Sequence, residues 1–233
     1  MFFKKSKKVK LTFHTCEQRP FKELFAPVHA ISATPSWWKD IPRQDFPTMR
    51  SCPGFIEFFK HAIGIPLWRD HEITYQGDQI LDLHIAGVGE EMLYHHIHYH
   101  DPRQWGNAFS DRPHLKFMNP WLITADKSVD FVVMDATWHN KNPEDLIIPP
   151  GIANFKYQSG AHVNAFLGKS TEVKTLNLEA GNIISYLVPL EDVDIEIETK
   201  QVSTDEWRQL LSYQWSFSNV YNKTKKFLEG KRK

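Results

Sequence analysis

The residues of this chain with the clearest capacity for chemistry are four histidines within six positions, His95, His96, His98 and His100. Imidazole is the commonest metal ligand in proteins, and it exchanges a proton near neutral pH. If the segment is a β-strand, side chains alternate between its faces, so that His96, His98 and His100 share one face. The segment therefore predicts a metal site or an acid–base site.

The spacing after this strand is similar to a known metal-binding pattern. His98, His100 and Gln104 read H-x-H-x3-Q, which resembles the H-x-H-x3–4-E motif of cupin proteins. The resemblance implies a metal held by His98, His100 and a later histidine, His162, with Gln104 as a fourth ligand or an outer-shell donor. Nitrogen ligands favour a divalent transition metal, with Fe first and Cu or Zn as alternatives. His96 is then a nearby acid–base group.

The same histidines have a second interpretation, in which they form a solvent-facing or hydrogen-bonded ladder on an exposed sheet face. No complete metal motif is present, so both interpretations stay open. His139, in a loop, is a further candidate acid–base residue. For a small or aromatic substrate, the candidate contact residues are Trp105, Trp121, Trp138 and Asn164.

Composition narrows the class of protein. The chain has 233 residues, of which 41% are hydrophobic, and this is enough for a sizeable core. Its 28 basic and 28 acidic residues balance, which argues against a general nucleic-acid-binding protein. Two cysteines do not make a disulfide scaffold, and no apolar run is long enough for a membrane span. We therefore expect a cytoplasmic protein that has no membrane partner.

The order of predicted elements indicates a mainly β fold. Residues 1–53 form a basic N-terminus and a Pro- and Trp-rich arm, residues 54–202 a β-sandwich core, and residues 203–233 a C-terminal helix with a basic tail. Within the core, Pro53 to Gly64 predicts a helix, and short strands separated by Gly, Pro and Asn turns follow. Among those strands are 92–100 and 154–157. A capping box at Ser203 and Glu206 predicts the start of the final helix. The expected architecture is a jelly-roll or cupin-like β-sandwich in a single domain.

Five segments are similar to a family of uncharacterised proteins encoded by tailed phages of marine bacteria. The segments are Pro35–Lys39, Ser51–Phe55, Gly64–Trp68, Leu115–Trp121 and Gly181–Ile184. The resemblance implies a β-sandwich with a C-terminal helix, and it brings no activity with it. It also matches His100, Pro102 and Gln104 to a shared His, Pro and Gln, and so favours His100 and Gln104 as site residues.

Two functions follow as expectations. The first is a metal-dependent non-haem oxidoreductase or oxygenase that acts on a small or aromatic substrate in a histidine-lined site. The second is a non-catalytic phage protein, a virion component or a host-interaction protein, located in the host cytoplasm or in the virion. The macromolecular partners under these expectations are a second copy of the chain or other virion proteins.

Overall fold

Strands dominate the regular structure of this protein. The computed structural model describes residues 7–20, 23–42, 47–101, 104, 109–139, 144–160, 162–212, 226–227 and 229–230. The strands are β1 Lys7–Thr15, β2 Val28–His29, β3 Ile63–Pro66, β4 His71–Gln76, β5 Gln79–Ile85, β6 Ile97–Tyr99, β7 His114–Phe117, β8 Leu122–Ala125, β9 Phe131–Asp135, β10 Leu146–Ile147, β11 Gly151–Ala153, β12 Val163–Leu167, β13 Lys174–Leu178, β14 Ile183–Pro189 and β15 Val193–Gln201. The helices are α1 Ser36–Asp40, α2 Pro53–His61 and α3 Thr204–Ser212, with 3₁₀ turns at Ala30–Ala33, Met49–Ser51 and Glu90–His95. The predicted mainly β fold with a C-terminal helix is confirmed.

The described strands form four sheets. Their orders are β15-β1-β8, β10-β12-β7-β6, β11-β9-β14-β3-β2 and β13-β4-β5. The first strand pairs in parallel with the last along their whole length, from Lys7 opposite Val193 to Thr15 opposite Gln201. The two ends of the described β structure are therefore hydrogen-bonded neighbours.

Three hydrophobic cores hold the sheets together. In the first, Leu11 and Phe13 of β1 pack with Ile65, Phe131 and Leu187 of the five-stranded sheet. The second joins the β13-β4-β5 sheet to the β10-β12-β7-β6 sheet and includes residues from both. The third lies on the remaining face of the five-stranded sheet, under α1 and α2. Shared cores mean that the sheets pack face to face, and the central strands β1, β3, β7 and β14 are mostly buried.

Helix α2 ends earlier than the sequence predicts. It begins at Pro53, where the missing N–H of proline is tolerated, and it ends at His61. Gly64, expected as the stop of this helix, instead lies in β3. A Cβ at Gly64 would be 2.8 Å from Cδ1 of Ile183. The Ile183 side chain fills the space beside Gly64, so a larger residue there would have to displace it.

The N-terminal arm is attached through its tryptophans. Trp38 of α1 is buried and stacks on Phe55 with ring centroids 5.6 Å apart. It also meets the edge of Phe59, which is fully buried. These contacts anchor a segment whose prolines prevent long helices and central strands.

At the other end, the predicted capping box is present in part. The Ser203 hydroxyl accepts a hydrogen bond from the Glu206 backbone N–H at 3.2 Å. Helix α3 therefore starts where the sequence predicts, with Asp205 and Glu206 in its first turn.

Candidate active site at one end of the four-stranded sheet

The predicted histidine face is present only in part: His98 lies on the outer face of a sheet, whereas His96 precedes β6 and contacts the buried Trp68. In neighbouring strands, Ile97 pairs with Phe117, and Phe117 pairs with Val163. All three are buried in the second core. The residues that alternate with them point the other way, so His98, Lys116 and Asn164 form a row on the outside.

This geometry does not bring the three predicted ligands around one point. His98 is exposed on β6, whereas His162 precedes β12, two strands away in the sheet. Neighbouring strands lie about 4.8 Å apart, so two strands separate their backbones by roughly 10 Å. In the part of the chain that the structure describes, no group of three or more His, Cys, Asp or Glu is placed to hold a metal.

One end of the same face carries a stack of four rings. His114 pairs with Phe166 across β7 and β12, and the His100 backbone N–H donates to the His114 carbonyl at 3.1 Å. Ring centroids lie 4.2 Å apart for His100 and His114, and 4.5 Å apart for His114 and Phe166. Phe109 stacks on Phe166 at 4.5 Å. The ring spacing follows the strand spacing, because register neighbours on one face stand side by side.

His100 is held with one ring nitrogen available. Its Nδ1 lies 2.9 Å from Oε1 of Gln104. Because an amide oxygen accepts, Nδ1 carries the proton, and Nε2 therefore has a lone pair. Nε2 is buried and has no hydrogen-bond partner among the described residues. His100 and Gln104, the pair that the family resemblance favours, are thus brought together.

The stack borders a cavity of about 380 Å³. Its walls include Tyr99, Arg112 and the turn residue Asp78 between β4 and β5, together with the rings of His100 and Phe109. The Arg112 side chain is only 17% exposed, and its nearest carboxylate, Asp111, is 4.0 Å away. Its Nε has no hydrogen-bond partner among the described residues. The cavity thus combines an incompletely paired cation, the carboxylate of Asp78, aromatic faces and the imidazole ring of His100.

Two titratable residues near the cavity, His114 and Tyr99, are uncharged at neutral pH. Burial, with the neighbouring His100 as the second cause, lowers the pKa of His114 to about 4. His114 is therefore uncharged at neutral pH. Burial also raises the pKa of Tyr99 above its usual value, so its hydroxyl stays protonated.

The backbone of Phe109 has an uncommon conformation. Its φ is +59°, in the left-handed region that favours glycine, and its side chain is 47% exposed. A large residue in this region costs stability and is found where the surrounding structure or a function demands it. Here the conformation brings the Phe109 ring onto Phe166 at the cavity wall.

The other predicted catalytic residues have structural partners. The Trp68 indole N–H donates to Nδ1 of His96 at 3.3 Å, and burial lowers the pKa of His96. His139 uses both ring nitrogens, with Nδ1 at 2.5 Å from the Tyr186 hydroxyl and Nε2 at 2.7 Å from the Ala33 carbonyl. His96 and His139 lie outside the cavity wall described above.

The predicted substrate contacts are dispersed. Trp121 is fully buried in the first core. Trp138 is partly exposed beside Trp37, and Asn164 is exposed in the outer row of the four-stranded sheet. Trp105 lies outside the described residues. None of these three described residues lines the cavity at His100.

Sequence reasoning missed four residues of this site: Phe109, Arg112, His114 and Phe166. His114 precedes the segment Leu115–Trp121, and nothing in its neighbourhood resembles a ligand motif. Only the pairing of β6 with β7 and of β7 with β12 brings it between His100 and Phe166. A predicted strand at 114–117, with its register, would have been the signal.

Comparison with known proteins places no relative beside this chain. No protein-family model, no curated protein and no solved structure matches it. The resemblance to phage proteins therefore stays a prediction. Among the described residues, no helix has both the length and the apolar character needed to cross a membrane.

Proposed function

We propose that this protein is an enzyme that acts on a small planar carboxylate bound beside the four-ring stack, with His100 as its general base. The observation that carries the proposal is the buried Nε2 of His100, which has no partner among the described residues while Nδ1–H is held by Gln104. His100 lines the cavity, and with Nδ1–H held by Gln104 its second nitrogen is the proton acceptor that a general base needs.

The substrate class follows from the other walls. Arg112 is a largely buried guanidinium whose nearest carboxylate is 4.0 Å away, so an incoming carboxylate gains a charge-assisted contact. Phe109 offers an exposed ring that is fixed by stacking on Phe166. A planar apolar group packs on such a face. The cavity volume of about 380 Å³ suits a ligand of this size.

The proposed step is a proton transfer. The bond between the substrate's acidic hydrogen and its parent atom breaks, the electron pair stays on the substrate, and the proton moves to Nε2 of His100. The Gln104 carbonyl, which accepts the Nδ1–H bond, stabilises the resulting imidazolium. Arg112 stabilises the negative charge that develops on the substrate.

A second candidate is the metal-dependent oxidoreductase expected from the sequence, with Fe, Cu or Zn. The observation that favours it is the same Nδ1–H bond to Gln104, because metal-bound histidines commonly donate their second nitrogen to a carbonyl or carboxylate. In this form His100 supplies one ligand through Nε2. The predicted jelly-roll or cupin-like architecture is part of this second proposal, because cupin proteins are the source of the metal-binding pattern.

The two candidates are separated by one set of variants. Wild type, His100→Gln, Arg112→Gln and the matched control His98→Gln are screened by ligand-observed NMR against benzoate, cinnamate, phenylpyruvate and the aliphatic control propionate. We expect ring-bearing carboxylates to bind, Arg112→Gln to weaken binding about tenfold or more, and His98→Gln to have no effect. Equal binding of propionate and cinnamate would contradict the role of Phe109.

Catalysis is tested on the ligands that bind. In D2O, wild type should exchange the acidic C–H of phenylpyruvate for deuterium, and His100→Gln should lose this exchange by about a hundredfold. Exchange that survives His100→Gln would overturn the general-base role. Metal analysis of untagged protein tests the second candidate: about one Fe, Cu or Zn per chain, lost in His100→Gln and kept in His98→Gln, would establish it.

A further inference from the structure

A second groove in the molecule has a different chemistry. It has a volume of about 610 Å³ and runs between two tryptophans, Trp37 and Trp138, and strand β13. Trp37 belongs to α1, and Trp138 follows β9. The residues that line this groove do not overlap with those of the cavity at His100.

The tryptophans form a rigid and partly open platform. The Trp37 indole N–H donates to the Trp138 carbonyl at 2.7 Å, which fixes the Trp37 ring. Phe55 supports Trp138 from the side, with ring centroids 4.6 Å apart. Even so, Trp37 is 36% exposed and Trp138 is 40% exposed. Large aromatic surface that is both immobilised and solvent-exposed marks a binding surface more often than a packing defect.

The opposite wall is polar and carries side-chain amides that make no hydrogen bond to a described residue. Strand β13 is the outer strand of its sheet and exposes Thr175 and Asn177. Asn182, in the turn before β14, is also exposed. The side chains of Asn177 and Asn182 make no hydrogen bond within the described part of the chain. Each amide can donate and accept at once, which matches a hydroxyl group.

Charge excludes several ligand classes. The described residues that line the groove include no lysine and no arginine, and they include two carboxylates, Asp145 and Glu179. Asp145, which is buried, pairs with Lys174 at 2.5 Å, so this carboxylate is already compensated. His139 is occupied on both nitrogens by Tyr186 and Ala33. An anionic ligand such as a nucleotide or a carboxylate would therefore find no cation to pay for its desolvation.

The shape of the platform excludes a flat aromatic ligand between the rings. The Trp37 and Trp138 planes are inclined at 55° with centroids 6.2 Å apart, so they do not form a parallel slot. Each ring instead presents a separate face. A chain of non-planar units, each with an apolar C–H face and a hydroxyl rim, fits one ring per unit.

We propose that this groove binds a neutral oligosaccharide, with Trp37 and Trp138 under the C–H faces of two sugar units and Asn177 and Asn182 bonded to their hydroxyls. The juxtaposition of fixed, exposed indole rings with uncommitted amides, in a groove that has no free cation among its described residues, carries this assignment. It is independent of the function proposed for the cavity at His100.

The test uses calorimetric titration of the full chain with maltotriose, cellotriose and triacetylchitotriose, and with sialyllactose as the charged comparison. We expect at least one neutral trisaccharide to bind and sialyllactose to bind more weakly. Trp138→Ala removes one platform ring but keeps the backbone carbonyl that holds Trp37. It should weaken binding about tenfold or more, and Asn177→Ala should weaken it less.

Matched controls exclude a loss of fold. Tyr94→Ala removes an exposed ring outside this groove, and Arg112→Gln alters only the other cavity. Both should bind the trisaccharide like wild type, and all variants should keep the wild-type circular dichroism spectrum. The proposal is overturned if no neutral trisaccharide binds to wild type, if Trp138→Ala binds as well as wild type, or if tetramethylammonium or a phenylalanine-rich peptide binds there in place of the sugars.

Discussion

Two aromatic regions of this protein use histidine in opposite ways. In the layer of α1 and α2 on the five-stranded sheet, His139 joins the Tyr186 hydroxyl to the Ala33 carbonyl, and both of its nitrogens are satisfied. In the four-ring stack, His100 is tied to Gln104 through one nitrogen, and the other is buried with no partner in the described residues.

The difference separates structural from functional histidines better than their spacing in the sequence does. A buried polar atom without a partner costs free energy, so a folded protein keeps one only where something offsets the cost. Buried atoms of His14, His71 and Ser185 share this property, so the cavity beside His100 is the second feature that marks the ring stack as the candidate site. Four predictions test this difference between the two regions.

The largest effect is expected from truncating the scaffold. Phe59 is fully buried among Trp38, Phe58 and Tyr186, so Phe59→Ala should lower the free energy of unfolding by about 3–5 kcal/mol. Phe109→Ala, in the exposed part of the stack, should cost less than about 1 kcal/mol. Urea unfolding followed by tryptophan fluorescence measures both. Equal losses would show that the stack is part of the core.

The second prediction concerns pH. The pKa of His114 is about 4 in the folded protein, below its ordinary value, and that of buried His71 is also about 4. Between pH 6.5 and 4 the unfolded chain therefore binds protons that the native state does not bind. The contribution of these two histidines to the free energy of unfolding is fully present above pH 6.5. It decreases as the pH is lowered towards 4, and it stays constant below pH 4. Each histidine contributes on the order of 3 kcal/mol.

His114→Phe tests this prediction, because it keeps a ring in the stack and removes the titration. The loss of unfolding free energy between pH 7.5 and pH 4 should be smaller in this variant than in wild type by roughly one histidine's contribution, on the order of 3 kcal/mol. The exposed control His98→Gln should retain the wild-type loss. An unchanged loss in His114→Phe would mean that His114 is protonated equally in both states.

The third prediction compares the two histidines directly. His139→Ala leaves the buried Tyr186 hydroxyl without its partner and should cost about 2 kcal/mol of stability. His100→Ala, whose Nε2 makes no hydrogen bond to a described residue, should cost about 1 kcal/mol or less. Thermal and urea unfolding of both variants decide the order. A larger cost at His100 would reverse the assignment of scaffold and site.

The smallest expected effect is a difference in stability between two variants of Phe109. Phe109 has a φ of +59°, so Phe109→Gly removes backbone strain that Phe109→Ala retains. The glycine variant should be more stable than the alanine variant by about 1 kcal/mol, while both lose the aromatic wall of the cavity. If alanine is the more stable of the two, the left-handed conformation is not a source of strain at this position.

Much of the fold could be predicted from local pattern. The start of α3 lies where the capping residues indicate. The sequence also predicts strands at 80–85, 131–138, 162–167, 182–190 and 193–200, and these lie close to β5, β9, β12, β14 and β15. Other segments were predicted wrongly. Residues 92–95 belong to the 3₁₀ turn Glu90–His95, and residues 154–157 form a turn after β11. In both places short-range propensity was outweighed by tertiary packing.

Residues a few positions apart are enough to predict the β-rich class, the start of the C-terminal helix, and the placement of His98 and His100 on the same side of their segment. The direction in which these two side chains point, and the residues beside them, depend on the tertiary structure. Ile97 is buried, so the histidines face outward, and His114 and Phe166 reach His100 from strands that are distant in the sequence. Strand register is set by packing across the whole sheet, and no local spacing encodes it.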